Sequence, residues 1–259
     1  MRFKSLGSGS AGNATLIESG EHNGSVTRIL VDCGFSQTEL VARLATAGIA
    51  PSDLSAIFIT HEHTDHVGCA SGFSKRWNLP LWMSQGTAMG IKPEQKNGLQ
   101  INHAYDGHPF EVGGVRITPF TVPHDAREPL QVKIDDGKHR MAIVTDLGKP
   151  TDHVFRHIYN CHALVLEANH EPEMLAKSSY PPMLKRRIMS TFGHLSNQVA
   201  VDILREVYHD NLRKIVAAHL SEKNNLPALV HDLFSSIIKN YQQQFCVADA
   251  QTGTPWQNV

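Results

Sequence analysis

Short apolar segments separated by glycine-rich turns fill the first third of the chain, a pattern typical of β-strands. Residues 2–6, 14–19 and 27–34 fit three strands, and the sequence GSGSAGN between the first two fits a tight turn. Residues 39–47 carry apolar side chains at helical spacing, which predicts an amphipathic helix. Residues 55–60, SAIFIT, are an apolar run that predicts a buried strand.

The second half of the chain repeats this alternation of strands and helices. The predicted strands are residues 115–124, 139–146, 163–170 and 214–219, and the predicted helices are residues 194–208, with Ser196 as N-cap, and 227–241. No linker, low-complexity run, charge block or fixed-period repeat divides the chain. The sequence therefore predicts one domain, residues 1–259, of the α/β class, with mixed sheets covered by helices.

Polar side chains of the kind that bind metals recur where the apolar strands end. These residues are His66, His124, Asp146, Glu167 and His219. In a layered sheet protein the ends of the strands converge along one rim, where α/β proteins place their sites. The pattern therefore predicts a single polar site on that rim.

The formal net charge of −1 excludes the strong positive field of a typical DNA-binding domain. It does not exclude an enzyme that acts on phosphodiesters, because bound divalent cations supply local positive charge. No run of 18 apolar residues and no signal-peptide pattern is present, and the four cysteines form no CxxC pair. We therefore expect reduced thiols, a cytoplasmic location and no membrane partner.

The sequence THEHTDHVG, residues 60–68, contains four metal-ligand side chains within six positions. In an extended segment His61 and His63 point the same way, whereas the adjacent residues Asp65 and His66 point apart. One loop can therefore provide ligands for two metals, and its nitrogen-rich set suits zinc, manganese or iron better than magnesium or calcium. The alternative is a purely structural zinc site, but such sites are usually cysteine-rich, and only Cys69 is nearby.

The sequence THEHTDH resembles the HxHxDH motif of the metallo-β-lactamase superfamily, and the expected downstream residues follow in order. The resemblance implies a four-layer αββα sandwich with two divalent metal ions on one rim. Asp32, in LVDCG, matches an aspartate that supports the site from behind the ligands. By this resemblance one metal is held by His61, His63 and His124, the other by Asp65, His66 and His219, and Asp146 bridges them.

Asp146 stands where the commonest zinc β-lactamases have a cysteine, which argues against antibiotic hydrolysis. Glu167 in LVLEAN and His194 in GHLSN resemble a glutamate–histidine pair of transfer-RNA 3′-processing nucleases. In such chemistry a metal-bridging hydroxide, oriented by Asp65 and Asp146, attacks phosphorus, and the leaving alkoxide needs a proton. Protonated His194, held by Glu167, could supply it. The alternative is that His194 only packs or caps at a helix start.

The sequences SLGSGSAGN, GHLSN and AAHLSEKNN resemble the bacterial YycJ/WalJ-type group of exonuclease-like or phosphodiesterase-like proteins. The resemblance implies 5′-to-3′ removal of nucleotides, from DNA more than from RNA. Three alternatives stay open: a small-molecule cyclic phosphodiesterase, a thioesterase of the glyoxalase II kind, and a non-catalytic metal-binding protein. The sequence does not indicate an oligomeric state.

Some residues near these motifs have two interpretations. Ser10 and Asn13 could contact a substrate phosphate, or could simply form a turn. The basic cluster of residues 185–187 could contact a nucleic-acid backbone or be a solvated helix face. His170 could support the site or be an ordinary loop residue, and Cys69 could touch the site or pack as a small buried residue.

Overall fold

The computed structural model of the protein describes residues 1–22, 25–238 and 245–259. Within these residues the strands form two sheets of seven strands each. The first sheet contains, from edge to edge, β14 (Gln257–Asn258), β1 (Arg2–Gly7), β2 (Ala14–His22), β3 (Ser25–Val31), β4 (Ala56–Phe58), β5 (Leu81–Met83) and β6 (Ile101–His103). The second sheet contains β13 (Phe245–Val247), β12 (Lys214–Ala218), β11 (Ala163–Glu167), β10 (Arg140–Val144), β9 (Leu130–Asp135), β8 (Val115–Thr121) and β7 (Phe110–Val112).

Helices cover the outer faces of both sheets. They are α1 (Gln37–Thr46), α2 (Thr64–Val67), α3 (Ala70–Trp77), α4 (Gln85–Gly90), α5 (Pro93–Lys96), α6 (Asp152–Ile158), α7 (Pro172–Lys177), α8 (Pro182–Ile188), α9 (Asn197–Val207) and α10 (Pro227–Ser235), with a 3₁₀ turn at Pro51–Asp53. Ser196 is the N-cap of α9 as predicted, and its hydroxyl accepts the Val199 N–H. The predicted helix 227–241 is observed as α10, and residues 239–241 lie outside the described part of the chain.

Side chains alternate between the two faces of each sheet, so both faces of the central strands are apolar. In β3, Leu30 packs toward helices α1 and α3, whereas Ile29 and Val31 pack toward the other sheet. In β11, Leu164 and Leu166 face the helices α6 and α9, whereas Ala163 and Val165 face the first sheet.

Three separate apolar cores follow from this alternation: one between the two sheets and one beneath each helical layer. Three cores require four layers, so the predicted αββα sandwich is confirmed. Among the residues that the structure describes, no helix is both long and apolar enough to span a bilayer.

The strands β3 to β6 run parallel, as do β10 to β13, so their carboxyl ends meet along one rim. Several strands end one to three residues earlier than predicted, which puts the polar residues on the loops that follow. Three of these residues have left-handed backbone: Asp32 (φ 65°), Asp146 (φ 54°) and His219 (φ 56°). This conformation costs a non-glycine residue about 1–3 kcal/mol, and such strain concentrates at functional sites.

Candidate metal centre

The loop after β4 brings its three histidines and Asp65 to the rim. His61 lies three residues after the end of β4 and is fully buried, and His63 is the N-cap residue of the short helix α2. Asp65 and His66 lie in α2, and the ring of His66 packs against that of His61, with 4.1 Å between the ring centroids. One short segment therefore supplies ligand atoms to two neighbouring groups.

One group of ligand atoms comes from His61, His63 and His124, and these atoms lie within 4.8 Å of one another. Nε2 of His124 is 3.3 Å from Nδ1 of His63. The other ring nitrogens are occupied by protein: His124 Nδ1 donates to the carbonyl of Gly193 at 3.2 Å, and His61 Nδ1 is 3.0 Å from the Thr60 hydroxyl. These contacts leave one nitrogen of each ring facing the centre.

A second group comes from Asp65, His66 and His219, again within 4.8 Å of one another. Nε2 of His66 and Nε2 of His219 are each 3.5 Å from the same oxygen of Asp65. Asp146 lies between the two groups, because one of its carboxylate oxygens is 3.0 Å from Nε2 of His66 and the other is 3.9 Å from Nε2 of His124. The structure thus brings all seven predicted ligands together.

Asp32 orients the second group from behind. Its carboxylate accepts from His66 Nδ1 at 2.8 Å and from the Thr60 N–H at 2.9 Å. The Thr60 hydroxyl also donates to this carboxylate, at 3.0 Å. Because Nδ1 of His66 holds the proton for Asp32, its Nε2 is left as a lone-pair ligand.

The donor set fits divalent metal ions. His61 Nε2, His219 Nε2 and Asp146 Oδ2 are buried and make no hydrogen bond among the described residues. Buried polar atoms without partners are rare, and here they face one another across one small space. Burial, helped by the neighbouring His66, holds the pKa of His61 well below its ordinary value, so its imidazole is neutral and able to bind a metal.

His194 and Glu167 form a hydrogen-bonded pair beside this centre. His194 Nδ1 donates to Glu167 Oε1 at 2.7 Å, and the same nitrogen is 3.6 Å from Asp146 Oδ1. Burial alone would lower the pKa of His194, but the charge of Glu167 and the hydrogen bond to it raise that pKa above its ordinary value. Burial would raise the pKa of Glu167, but the charge of His194 and the hydrogen bond lower it to about 2. The pair therefore favours an imidazolium beside a carboxylate.

Glu167 is fixed in place by further contacts. Its second oxygen accepts the N–H of Leu147 at 2.9 Å and the N–H of Leu195 at 3.2 Å. The residue is fully buried at the end of β11. This position holds the His194 ring rigidly and leaves its Nε2 without a hydrogen bond among the described residues.

The sequence interpretation missed a second ion pair at the rim. The carboxylate of Asp125 has one oxygen 3.5 Å from Nε2 of His124, and its other oxygen accepts from Nε of Arg187. Arg187 belongs to the basic cluster 185–187, which lies on the exposed helix α8. The position of Asp125 directly after His124 was the one feature of the sequence that placed it near the site. Its pairing with a residue 62 positions away could not be predicted from the sequence.

Asn13 and Ser10, the two predicted substrate contacts in the glycine-rich loop, have different surroundings. The amide of Asn13 is occupied internally, since its oxygen accepts from Ser8 and Gly9 and its nitrogen donates to the carbonyls of Gly9 and Asp65. It positions the metal loop, and its contact with substrate stays a prediction. Ser10 is exposed and lines a cavity beside His194.

His170 and Cys69 lie close to the centre without joining the ligand groups. His170 is buried, burial lowers its pKa to about 4, and its Nδ1 makes no hydrogen bond among the described residues. Cys69 is the N-cap residue of α3, where its N–H donates to the carbonyl of Cys33 at 3.0 Å. It packs against the first-sheet core, as a small residue at a helix start would.

A family model described as the Beta-lactamase superfamily domain matches residues 27–219. The chain is 31% identical over 257 residues to the exodeoxyribonuclease YycJ of Bacillus anthracis, covering 96% of this chain and 93% of that protein. It is also 31% identical over 236 residues to the exodeoxyribonuclease WalJ of Streptococcus pneumoniae serotype 2, covering 89% of this chain and 85% of that protein. In structure it is similar to the metallo-beta-lactamase fold protein YhfI of Bacillus subtilis, with a TM-score of 0.74, 17% identity and coverage of 99% and 98% of the two chains. At that identity, the structural likeness concerns the fold alone.

Proposed function

We propose a function from one premise: this chain belongs to the beta-lactamase superfamily, and its curated relatives of similar length are exodeoxyribonucleases. The chain is a hydrolase that acts on phosphodiester bonds. Our specific proposal is a 5′-to-3′ exonuclease that acts on DNA and uses two divalent metal ions, zinc or manganese. A cytoplasmic location remains part of the prediction.

The observation that carries the proposal is the Glu167–His194 pair beside the two ligand groups. A thiolate leaves a thioester without needing a proton, whereas the alkoxide that leaves a phosphodiester needs one. His194 Nδ1 is held by Glu167, so a proton on Nε2 is aimed away from the carboxylate and is free for a leaving oxygen. A chain that cleaved thioesters or only stored metal would have no use for this pair.

Divalent ions held by the two ligand groups would neutralise charge on the phosphoryl oxygens and make water nucleophilic at neutral pH. The roles of the side chains follow from their positions. Asp65 and Asp146 orient the attacking water between the two groups, because their carboxylates face both His66 and His219. His194 then donates its Nε2 proton to the leaving oxygen, and Glu167 stabilises the imidazolium that donates it.

The test is digestion of 5′-phosphorylated DNA, labelled at its 3′ end, by metal-depleted protein refilled with manganese or with zinc. Single- and double-stranded substrates and a matched RNA strand run in parallel. We expect the labelled strand to shorten stepwise from its 5′ end. Internal cutting, or loss from the 3′ end, would contradict the exonuclease proposal, and no cleavage with either metal would contradict phosphodiesterase activity on DNA.

A further inference from the structure

A cavity of about 170 Å³, which we call the α8 pocket, lies beside His194. Its walls include Leu184 and Arg187 of helix α8, Tyr180 before that helix, and Ser10 of the glycine-rich loop. The mechanism proposed above leaves this cavity without a role. His194 lines it directly, so whatever occupies the pocket lies next to the group that supplies the leaving-group proton.

The pocket presents polar groups that the protein does not satisfy. Among the described residues, the hydroxyls of Ser10 and Tyr180 and the side-chain oxygen of Asn169 make no hydrogen bond. Asn169 is 5% exposed, and its amide nitrogen is fixed by a 2.9 Å hydrogen bond to the carbonyl of His219. An acceptor held in a fixed orientation at a cavity wall suits a ligand that carries hydrogen-bond donors.

The charge at the pocket indicates an anionic occupant. Arg187 uses Nε for Asp125, which leaves its two terminal nitrogens for another partner, and its side chain is 54% exposed. The ammonium of Lys223 lies 5.7 Å from the centre of the Tyr180 ring and adds a second positive charge at the rim. Arginine presents a fixed fork of donors that matches a phosphate group.

The size of the pocket limits its occupant. Pockets for drug-sized ligands have volumes of about 300–1,000 Å³, and this one is smaller. An engineered cavity of about 150 Å³ holds one benzene ring, so this pocket has room for a single nucleobase, with the sugar and phosphate outside at its rim, and not for a longer chain. Tyr180 supplies an aromatic surface of the kind on which nucleobases stack.

We propose that the α8 pocket binds the 5′-terminal nucleotide of the substrate, on the leaving-group side of the scissile bond. This inference rests on the proposed function and specifies which end of the nucleic acid lies where. Water forms the new P–O bond to the scissile phosphorus, and the bond from that phosphorus to the 3′ oxygen of the terminal nucleotide breaks. That oxygen takes the Nε2 proton of His194, and the nucleotide leaves as a 5′-monophosphate. The attacking water gives up one proton to solvent, and His194 takes one back from solvent. A pocket that accepts one nucleotide explains removal in single steps.

The experiment measures binding of thymidine 5′-monophosphate to the metal-loaded protein by calorimetry, with thymidine as the uncharged comparison. Tyr180→Ala should weaken binding of the nucleotide about tenfold, because stacking on the aromatic ring is lost. Tyr180→Phe should retain binding within about twofold, since the ring remains. Arg187→Gln should weaken binding of the nucleotide and leave binding of thymidine unchanged.

Two further variants test whether the nucleotide binds outside the α8 pocket. Tyr159, another partly exposed tyrosine, lies away from the α8 pocket, so Tyr159→Ala should bind as the wild type does. Met189 lines a different cavity on the other side of His194, together with His170 and Val199. If Met189→Ala weakened binding and Tyr180→Ala did not, the nucleotide would occupy that other cavity and the inference would be overturned.

Kinetics on an oligonucleotide separate this inference from the proposed function. If the inference holds, Tyr180→Ala raises KM about tenfold with little change in kcat, and the wild type removes one nucleotide at a time. Wild-type exonuclease activity with an unchanged KM and unchanged nucleotide affinity in Tyr180→Ala would overturn the inference alone. A wild-type protein that cleaved no phosphodiester would instead overturn the proposed function.

Discussion

The metal centre differs in construction from the part of the site around helix α8 (Pro182–Ile188), which we call the α8 side. The ligands follow the ends of parallel strands and are mostly buried: His61 and His66 are fully buried, and Asp146 is 2% exposed. The α8 side consists of short helices and loops, with exposed residues such as Met183 and Phe192. Strand ends are fixed by hydrogen bonds to neighbouring strands and by the cores on either side, whereas helix α8 has no fully buried side chain.

This difference separates two tasks. Rigid strand ends suit ligands that must stay within tenths of an ångström of a productive geometry. An exposed rim with cations and an aromatic ring suits recognition of a substrate. His194 joins the two regions, since its ring is held by Glu167 of β11 and its backbone N–H donates to Ile188 at the end of α8.

The largest expected effect is the loss of a ligand on the rigid side. Asp65→Ala removes a carboxylate shared by His66 and His219, so we expect it to abolish turnover and reduce the bound metal. The measurements are the phosphodiesterase rate and the metal content of the purified protein. Asp202→Ala, which removes an exposed carboxylate from α9, is the matched control. Full metal content and full rate in Asp65→Ala would exclude the proposed ligand group.

A smaller effect is expected at the residue that joins the two regions. His194→Ala should slow cleavage of an unactivated phosphodiester by about 10²–10⁴-fold, the range of general acid catalysis. It should lower the cleavage rate of a p-nitrophenyl phosphodiester by less than about tenfold, since nitrophenolate leaves without a proton. Metal content should be unchanged, and His170→Ala serves as the histidine control. Equal losses on both substrates would mean that His194 has a structural role.

A still smaller effect is expected for a change at Asp32, which lies behind the metal ligands. Asp32→Asn replaces the carboxylate that orients His66, so we expect metal affinity to fall about 10- to 100-fold. Competition with a chelator of known affinity measures this change. Nucleotide binding at the α8 pocket should stay unchanged, which distinguishes a weakened metal site from a general loss of structure. An unchanged metal affinity would contradict the supporting role of Asp32.

Metal removal should destabilise the fold moderately. At a metal concentration 100 times its dissociation constant, each bound ion contributes about 2.7 kcal/mol. For a chain of this length, that corresponds to a melting temperature higher by about 5–10 °C per bound ion than in chelator. Differential scanning calorimetry of wild type and Asp65→Ala tests this, and the variant should show a smaller shift. A shift of equal size in both proteins would place the stabilising metal elsewhere.

The rigid side of the site was predictable from the sequence because apolar strands ending in His, Asp or Glu are a local pattern. His124, Asp146 and His219 could be placed on one rim from that pattern alone. The left-handed backbone of Asp146 and His219 could not be predicted, since neither residue is a glycine. That conformation is imposed by the surrounding fold and not by residue preference.

The α8 side was much less predictable. Helix α8 has seven residues and no fully buried side chain, so its pattern of apolar residues is too short and too weak to predict a helix. The pairing of Arg187 with Asp125 joins residues far apart in the chain and depends on where the second sheet places the loops that follow β8 and β11. The extent of the domain, residues 1–259, remains a prediction, as do the roles of the individual site residues.

We propose that the strand-end residues hold two divalent ions that together support phosphodiester cleavage. The most direct measurement is a titration of the metal-free protein with manganese, in which bound metal and the cleavage rate of an oligonucleotide are followed in the same samples. We expect the rate to rise mainly as the second ion binds, and Asp146→Asn to retain neither the second ion nor the rate. Full activity with a single bound ion, or two bound ions in Asp146→Asn, would contradict the claim.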